Sequence, residues 1–334
     1  MVALVTGGAG FIGSHIAEEL LKRGKRVLVI DDLSTGKREN IKHLEGEGKF
    51  SFMHDTILNE PLMEKLIDGC DIIYHLAAAV GVEYIIGNPV KSIEINVLGT
   101  EIVLRLAEKN RKKVIITSSS EVYGKNEKKF FKETDGGVLG TTLAHRWSYS
   151  CGKALGEFLA LAYWREKRLP VIIVRLFNTL GPRQTGKYGM VVPRFIEQAL
   201  SGEPITIYGD GNQTRSFAYV SDVADGMVNL ANHPGAVGEI FNLGGDEEIT
   251  ISDLARKIKK LTRSNSEIVY LPYEKVYGEG FEDMRHRIPD TTKVRNLISY
   301  MPKVGLDDAL KKTIEYHRKK KEENSRDLSL KKGG

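Results

Sequence analysis

Long apolar runs and cysteines are both scarce in this chain of 334 residues. No stretch approaches the roughly 18–20 consecutive apolar residues of a membrane span, so no membrane partner is expected. The opening strand is too short and too glycine-rich for a secretory leader. Cysteine occurs only at Cys70 and Cys151, which excludes a disulfide framework and predicts a cytoplasmic protein. The eight histidines fall at no metal-ligand spacing, so no metal is predicted. Charge of one sign is missing as well, once it is located. The formal net charge is +5, and residues 311–334 alone carry nine Lys/Arg against four acids. The preceding 310 residues are therefore neutral overall, so charge gives no support to nucleic-acid binding by the body. The tail itself reads as a solvated helix end and a frayed terminus.

What is present is a globular composition, 41% hydrophobic and 28% charged, long enough for two domains or one domain with a lobe. The organising stretch is Val2-Ala3-Leu4-Val5-Thr6-Gly7-Gly8-Ala9-Gly10-Phe11-Ile12-Gly13. An apolar strand runs into a turn and then into a helical pattern. Gly7 allows the sharp turn, Gly10 a close approach of backbone to phosphate, and Gly13 packing of the new helix on the sheet. Unpaired N–H groups at that helix start face a bound pyrophosphate. A second apolar run ends in Asp31-Asp32 about twenty residues on. A carboxylate there accepts from an adenosine ribose and repels a 2′-phosphate, which predicts NAD as cofactor.

Strand-like runs at 50–54, 71–77, 113–118 and 171–177 alternate with helical patterns near 14–23, 60–68, 89–110 and 149–167. This alternation predicts an α/β protein with a Rossmann-type doubly wound parallel sheet over residues 1–180. A later strand within 217–245 is expected to join it. Beyond 180 the pattern loosens into a smaller, discontinuous substrate lobe over 181–310, with the basic tail at 311–334.

Tyr149 and Lys153 stand four apart, hence on one helix face. A tyrosine titrates near about 10 when unperturbed, and a neighbouring ammonium is expected to lower it. The pair would then take a proton from a sugar hydroxyl. The strand over 113–118 runs into Ser119-Ser120-Glu121, which puts hydroxyls where substrate should lie.

With these residues in place the sequence resembles the extended short-chain dehydrogenase/reductase family of nucleotide-sugar epimerases and dehydratases. The matching motifs are Gly7-x-x-Gly10-x-x-Gly13, Asp31, His75-Leu76-Ala77-Ala78, Asn96, Ser119 with Tyr149-x-x-x-Lys153, Arg175-Leu176-Phe177-Asn178 and Gly181-Pro182-Arg183. The resemblance implies that Tyr149 takes the C4 hydroxyl proton, Lys153 anchors the nicotinamide ribose, and Ser119 holds the C4 oxygen. It implies a cofactor wall of Phe11, Ile12, Asp32, Ser34, Gly36, Asp55 and Ile57, continued by Leu76, Ala77, Ala78, Asn96, Ser118 and Phe177. On the substrate side it implies Asn178, Arg215 and Arg287 at a diphosphate, Tyr208 beside a base, Val192 in the lobe wall and Asp290 at the nucleotide ribose. A homodimer through the helices near 89–110 and 149–167 is implied too, using Ile95, Leu98, Ile102, Leu155, Leu159 and Tyr163.

Related 4,6-dehydratases usually carry an Asp-Glu pair where this chain has Ser120-Glu121, so dehydration is disfavoured. The Ser-Glu pair, and the run from Tyr277 to Arg287, resemble UDP-glucuronate decarboxylases. Arg183, Thr185 and Arg287 are the candidate contacts for a uronate carboxylate, and His145-Arg146-Trp147 is read as a substrate-side loop. The first reading is an NAD-dependent 4-epimerase of a UDP-hexose or UDP-hexuronate that works through a 4-keto sugar. The alternative is a UDP-glucuronate decarboxylase with Glu121 assisting, ahead of a dehydratase or a silent NAD-binding module.

Overall fold

A computed structural model describes residues 1–144, 146–186, 190–277 and 284–332. His145 and the run 278–283, both singled out above, lie outside them. Seven strands form one sheet: β1 (Val2–Thr6), β2 (Arg26–Asp31), β3 (Phe50–His54), β4 (Ile72–His75), β5 (Lys113–Ser119), β6 (Val171–Leu176) and β7 (Ile240–Leu243). Their order is β7-β6-β5-β4-β1-β2-β3, and every neighbouring pair is parallel. Residues alternate between two cores, as a sheet covered on both faces requires. Ala3, Val5 and Tyr74 pack with Ile16 and Leu20 on one face. Leu4, Ile73 and Ile116 pack with Met63 and Val103 on the other. Burial of each such large side chain contributes roughly 1.5–3 kcal/mol. The strand order reverses direction between β1 and β4, and a crevice opens at their carboxyl ends.

The lobe has a core of its own, built from Phe195, Ile196, Ile207, Leu254, Ile258 and Leu310. In it the strand Thr214–Ser216 runs parallel to His286–Pro289, in a register that sets Arg215 beside Arg287.

Three expectations differ from the structure. The tail is not a free helix end: one helix spans Leu306–Lys332. Its Leu306, Leu310 and Ile314 are buried in the lobe core, while Lys311, Lys312, Lys319 and Lys321 are exposed. Charge count alone hid that apolar stripe. The pattern near 89–110 is broken into helices Pro89–Ile93 and Gly99–Lys109 around a wide π-turn, Glu94–Leu98. The turn directs Asn96 inward, where its side chain brackets Ala79 N and O at 2.9 and 3.1 Å. Trp147 is not in a loop either, because it opens the helix Trp147–Lys167 and is buried.

Of the positions expected to meet a second copy, Ile95 is buried in its own core, whereas Leu98 and Leu155 are exposed. Val90, Ile93 and Phe158 are exposed as well. Among the described residues no helix is long and apolar enough to cross a membrane.

Candidate active site

A cleft of about 480 Å³ runs from the glycine turn, across the ends of β1, β4 and β5, to the lobe strands. Its geometry begins with glycines. Gly7 has φ 69°, and a Cβ on it would lie 2.7 Å from Ala77 N. A Cβ on Gly13 would lie 2.2 Å from Gly7 O, so only glycine lets the helix Phe11–Lys22 start against the turn. That helix has no side-chain cap, which leaves N–H groups for an anion. At the end of β2, Asp31 accepts from Ala9 N at 2.9 Å and Leu33 N at 2.8 Å. Burial raises its affinity for a proton, against those two bonds. A bare glycine cradle beside a fixed carboxylate is the donor and acceptor set that a dinucleotide needs.

Most of the expected cofactor wall does line this cleft, namely Phe11, Ile12, Asp32, Ser34, Asp55, Ile57, Leu76, Ala77, Ala78, Ser118 and Phe177. Gly36 and Asn96 are not part of its surface. Gly36 backs Asp31, whose carboxylate a Cβ there would meet at 2.7 Å. Asn96 braces the loop that carries Ala79.

Beneath the cleft His75 is fully buried in a directional chain. The Thr100 hydroxyl donates to Asn96 O at 2.8 Å, so it accepts from His75 Nε2–H at 3.1 Å. His75 Nδ1 is then left to accept from Thr6 Oγ1 at 2.8 Å. Burial, with the charge of Lys153 adding to it, lowers the His75 pKa to about 3. The unfolded chain would protonate this imidazole near about 6.5, whereas the native chain does so only near 3. Between those values the unfolded state binds the extra proton, so stability falls with falling pH by ~1.4 kcal/mol per unit from this group. Above pH ~6.5 it contributes no slope. Melting temperatures of the wild type and His75→Gln between pH 7 and 4 are expected to converge as the pH drops, with the flatter profile in the variant.

The chemical end of the cleft is assembled from β5 and the helix Trp147–Lys167. Tyr149 hydrogen-bonds Ser119, whose Oγ also accepts from Glu121 N at 3.2 Å. Lys153 Nζ donates to Thr117 O at 2.9 Å and lies 5.9 Å from the centre of the Tyr149 ring. Desolvation lowers the Lys153 pKa to about 8, against the nearby charge of Glu157. The expected depression of Tyr149 does not occur. Desolvation and then the Glu121 charge push its phenol well above the usual value, and the Ser119 bond and Arg287 only partly oppose them. At this separation Lys153 acts on Thr117 rather than on the phenol.

Glu121 is the centre of a charged knot. Arg287 Nη2 donates to its Oε1 at 2.5 Å, and Arg146 Nη2 to its Oε2 at 3.2 Å. All three side chains are at most 15% exposed. Arg287 therefore stands at the chemical end of the cleft, bonded to Glu121. Ser120 is buried and also lines the cleft. Behind this layer the Ser118 hydroxyl donates to Glu157 at 2.5 Å, and Arg175 holds Glu157 with two bonds of 2.9 and 2.7 Å.

Farther out, Asn178, Thr185, Val192, Tyr208 and Arg215 line the cleft as expected. Asp290 does not. Its carboxylate accepts from Thr292 N at 2.9 Å in a local turn just ahead of the short helix Thr292–Ile298. Arg183 also departs from its expected role: it lines the cleft, but its guanidinium is bonded to Glu18 and Ser14 of the first helix. Cys70 is buried, and burial pushes its thiol up to about 11, which removes it as a nucleophile. Glu157 is the residue that sequence reasoning did not place in the site, and Arg146 was read only as part of a substrate-side loop, not as a partner of Glu121. The Arg146-Trp147-x-Tyr149 spacing and the position of Glu157, four beyond Lys153, were the available signals.

Residues 3–244 match the model of the "NAD dependent epimerase/dehydratase family". The chain belongs to that family. NAD is its cofactor, and the glycine cradle and Asp31 fit it. This family member is 44% identical, over 94% of its length and 97% of the relative's, to a UDP-N-acetyl-alpha-D-glucosaminuronate decarboxylase of Bacillus cytotoxicus. It is 38% identical to a UDP-glucuronic acid decarboxylase 1 of Xenopus tropicalis, over 96% of this chain and 72% of that one. Among solved structures it is similar to the UDP-glucuronic acid 4-epimerase of Bacillus cereus bound to UDP-glucuronic acid and NAD. That match has a TM-score of 0.87 at 32% identity and covers 96% and 99% of the two chains.

Proposed function

We propose that this enzyme is a decarboxylase of a UDP-uronic acid, with UDP-glucuronate and UDP-N-acetylglucosaminuronate as the two candidate substrates. The observation that carries the reading is the Arg146–Glu121–Arg287 knot beside Tyr149. Two guanidinium groups against one carboxylate leave a net positive site, which suits an incoming carboxylate and offers nothing to a neutral hydroxymethyl group. Ser120 has no acidic proton for a leaving C6 hydroxyl, so dehydration lacks its acid.

In this reading Tyr149 takes the C4 hydroxyl proton and Ser119 holds the C4 oxygen. Bound NAD supplies the hydride acceptor at C4 and later the hydride donor. The resulting 4-keto uronate is a β-keto acid. Its C5–carboxylate bond breaks to release CO₂, and the electron pair moves towards the C4 oxygen, where the Tyr149 and Ser119 hydroxyls stabilise the enolate. A solvent proton then takes the vacated position at C5. Glu121 decides between keeping and losing the carboxylate. Because it already occupies Arg287, the substrate carboxylate meets a guanidinium whose charge is half cancelled, next to another negative group. Loss of charge as CO₂ relieves that contact, whereas an epimerase would need the arginine free to hold the carboxylate.

Incubation with each uronate, followed by mass analysis of the sugar nucleotide, tests the reading. A UDP-sugar lighter by CO₂ is expected. A product of unchanged mass in the 4-epimeric form would replace the decarboxylase with the epimerase. The reading includes a homodimer, supported by the exposed apolar face of Val90, Ile93, Leu98, Leu155 and Phe158 on packed helices. Light scattering is expected to give twice the chain mass, and a mass of one chain would remove the dimer.

A further inference from the structure

Arg183 has a left-handed backbone, φ 72°, which a non-glycine residue keeps only when its surroundings hold it there. Its guanidinium leaves the loop 181–186 and reaches the helix Phe11–Lys22. Nη2 donates to Glu18 Oε1 at 2.9 Å and Nη1 to Ser14 Oγ at 3.2 Å. Two histidines flank the same carboxylate, with His43 Nε2 at 2.6 Å and His15 Nδ1 at 3.4 Å. The other ring nitrogen of His15 donates to Pro182 O at 3.1 Å, so the loop is tied to the first helix twice. Burial works against the Glu18 charge, but the bonds from His15 and Arg183 outweigh it and hold the carboxyl well below the usual carboxylate range. With side chains 15% and 19% exposed, the pair is sheltered from the screening that weakens surface bridges.

Its position gives it a consequence. Arg183, Gln184 and Thr185 line the cleft together with Gly10 and Gly13, and Ser14 is the next residue of the helix. Chain and ion pair thus tie the loop 181–186 to the helix that begins at the glycine turn, on the cofactor side of the cleft. We propose that the Arg183–Glu18 bridge is a retention latch for NAD, which leaves only when that tie opens. A reaction that takes a hydride and returns it is redox-neutral, so a captive cofactor serves every turn without exchange. The inference rests on the family's cofactor and not on the fate of the sugar.

The test is the rate at which NAD leaves the holoprotein after rapid dilution, with released NAD trapped by a coupled dehydrogenase. Glu18→Gln is expected to speed release at least about ten-fold, as expected for loss of a sheltered charge-assisted pair, while turnover with NAD in excess is kept. Arg183→Gln should speed NAD release to a similar degree, and the double variant should be no faster than either, because one latch is opened only once. Arg183→Lys keeps the charge with less reach and should fall between, which covers the case of a poorly folding glutamine variant. Unchanged NAD release in folded Glu18→Gln overturns the latch. So does an Arg183→Gln variant that retains NAD and instead raises the KM for the nucleotide sugar, since Arg183 would then be a substrate contact.

Discussion

Tyr149→Phe is expected to lower turnover by about 10³-fold, within the range for loss of a general acid–base group, while NAD binding persists. The change removes one oxygen and little volume, so the helix Trp147–Lys167 and the cleft wall should be undisturbed. What is lost is the acceptor for the C4 hydroxyl proton and the hydroxyl that hydrogen-bonds Ser119. With desolvation and Glu121 holding the phenol neutral in the free protein, the proton must be drawn off once substrate and the positively charged nicotinamide are present. Steady-state kinetics beside NAD titration reads both halves. Turnover near the wild-type rate would remove Tyr149 from the mechanism, and loss of NAD binding would give it a structural role instead.

Glu121→Gln has the second largest expected effect, and its signature is a split rather than a simple loss. The amide keeps the shape and one acceptor but removes the charge that occupies Arg287 and Arg146. Both guanidinium groups then turn to the substrate carboxylate, so KM for the uronate should fall. The rate of CO₂ release should drop by about 10²-fold, the scale of one lost electrostatic contribution in a dry site. A 4-keto sugar that keeps its carboxylate has time to rotate, so some 4-epimeric uronate is expected among the products. A raised KM with unchanged partition would show that Glu121 only positions its arginines. Circular dichroism checks that the variant folds, because it leaves a buried pair of cations less well compensated.

The parts of the fold legible in the sequence are those where one residue type has no substitute. Gly7, Gly10 and Gly13 announce the turn because backbone occupies the space of their Cβ atoms, and Asp31 closes the next strand. Tyr149 and Lys153 share a helix face by spacing alone. The misplaced residues are those whose role depends on a distant partner. Asp290 matches a ribose position in sequence but bonds Thr292 N in the turn that follows its strand, which ends one residue before it. Arg183 was read as a carboxylate contact, but its carboxylate is the chain's own Glu18, 165 positions away. Arg146 could not be paired with Glu121 until β5 and the Trp147 helix met. The tail was misread because nine basic residues obscured Ile314, which with Leu306, Ala309 and Leu310 packs that helix into the lobe core. Local rules carry spacing and backbone need, whereas long-range ion pairs need the assembled fold.

The measurement that bears most directly on the central claim is turnover of a UDP-uronate in D₂O, followed by NMR of the purified product. Loss of CO₂ through an enolate puts one non-exchangeable deuterium at C5 of a UDP-pentose, and that is the predicted spectrum. A product that keeps its carboxylate, with hydrogen retained at C5 and inverted configuration at C4, would contradict it.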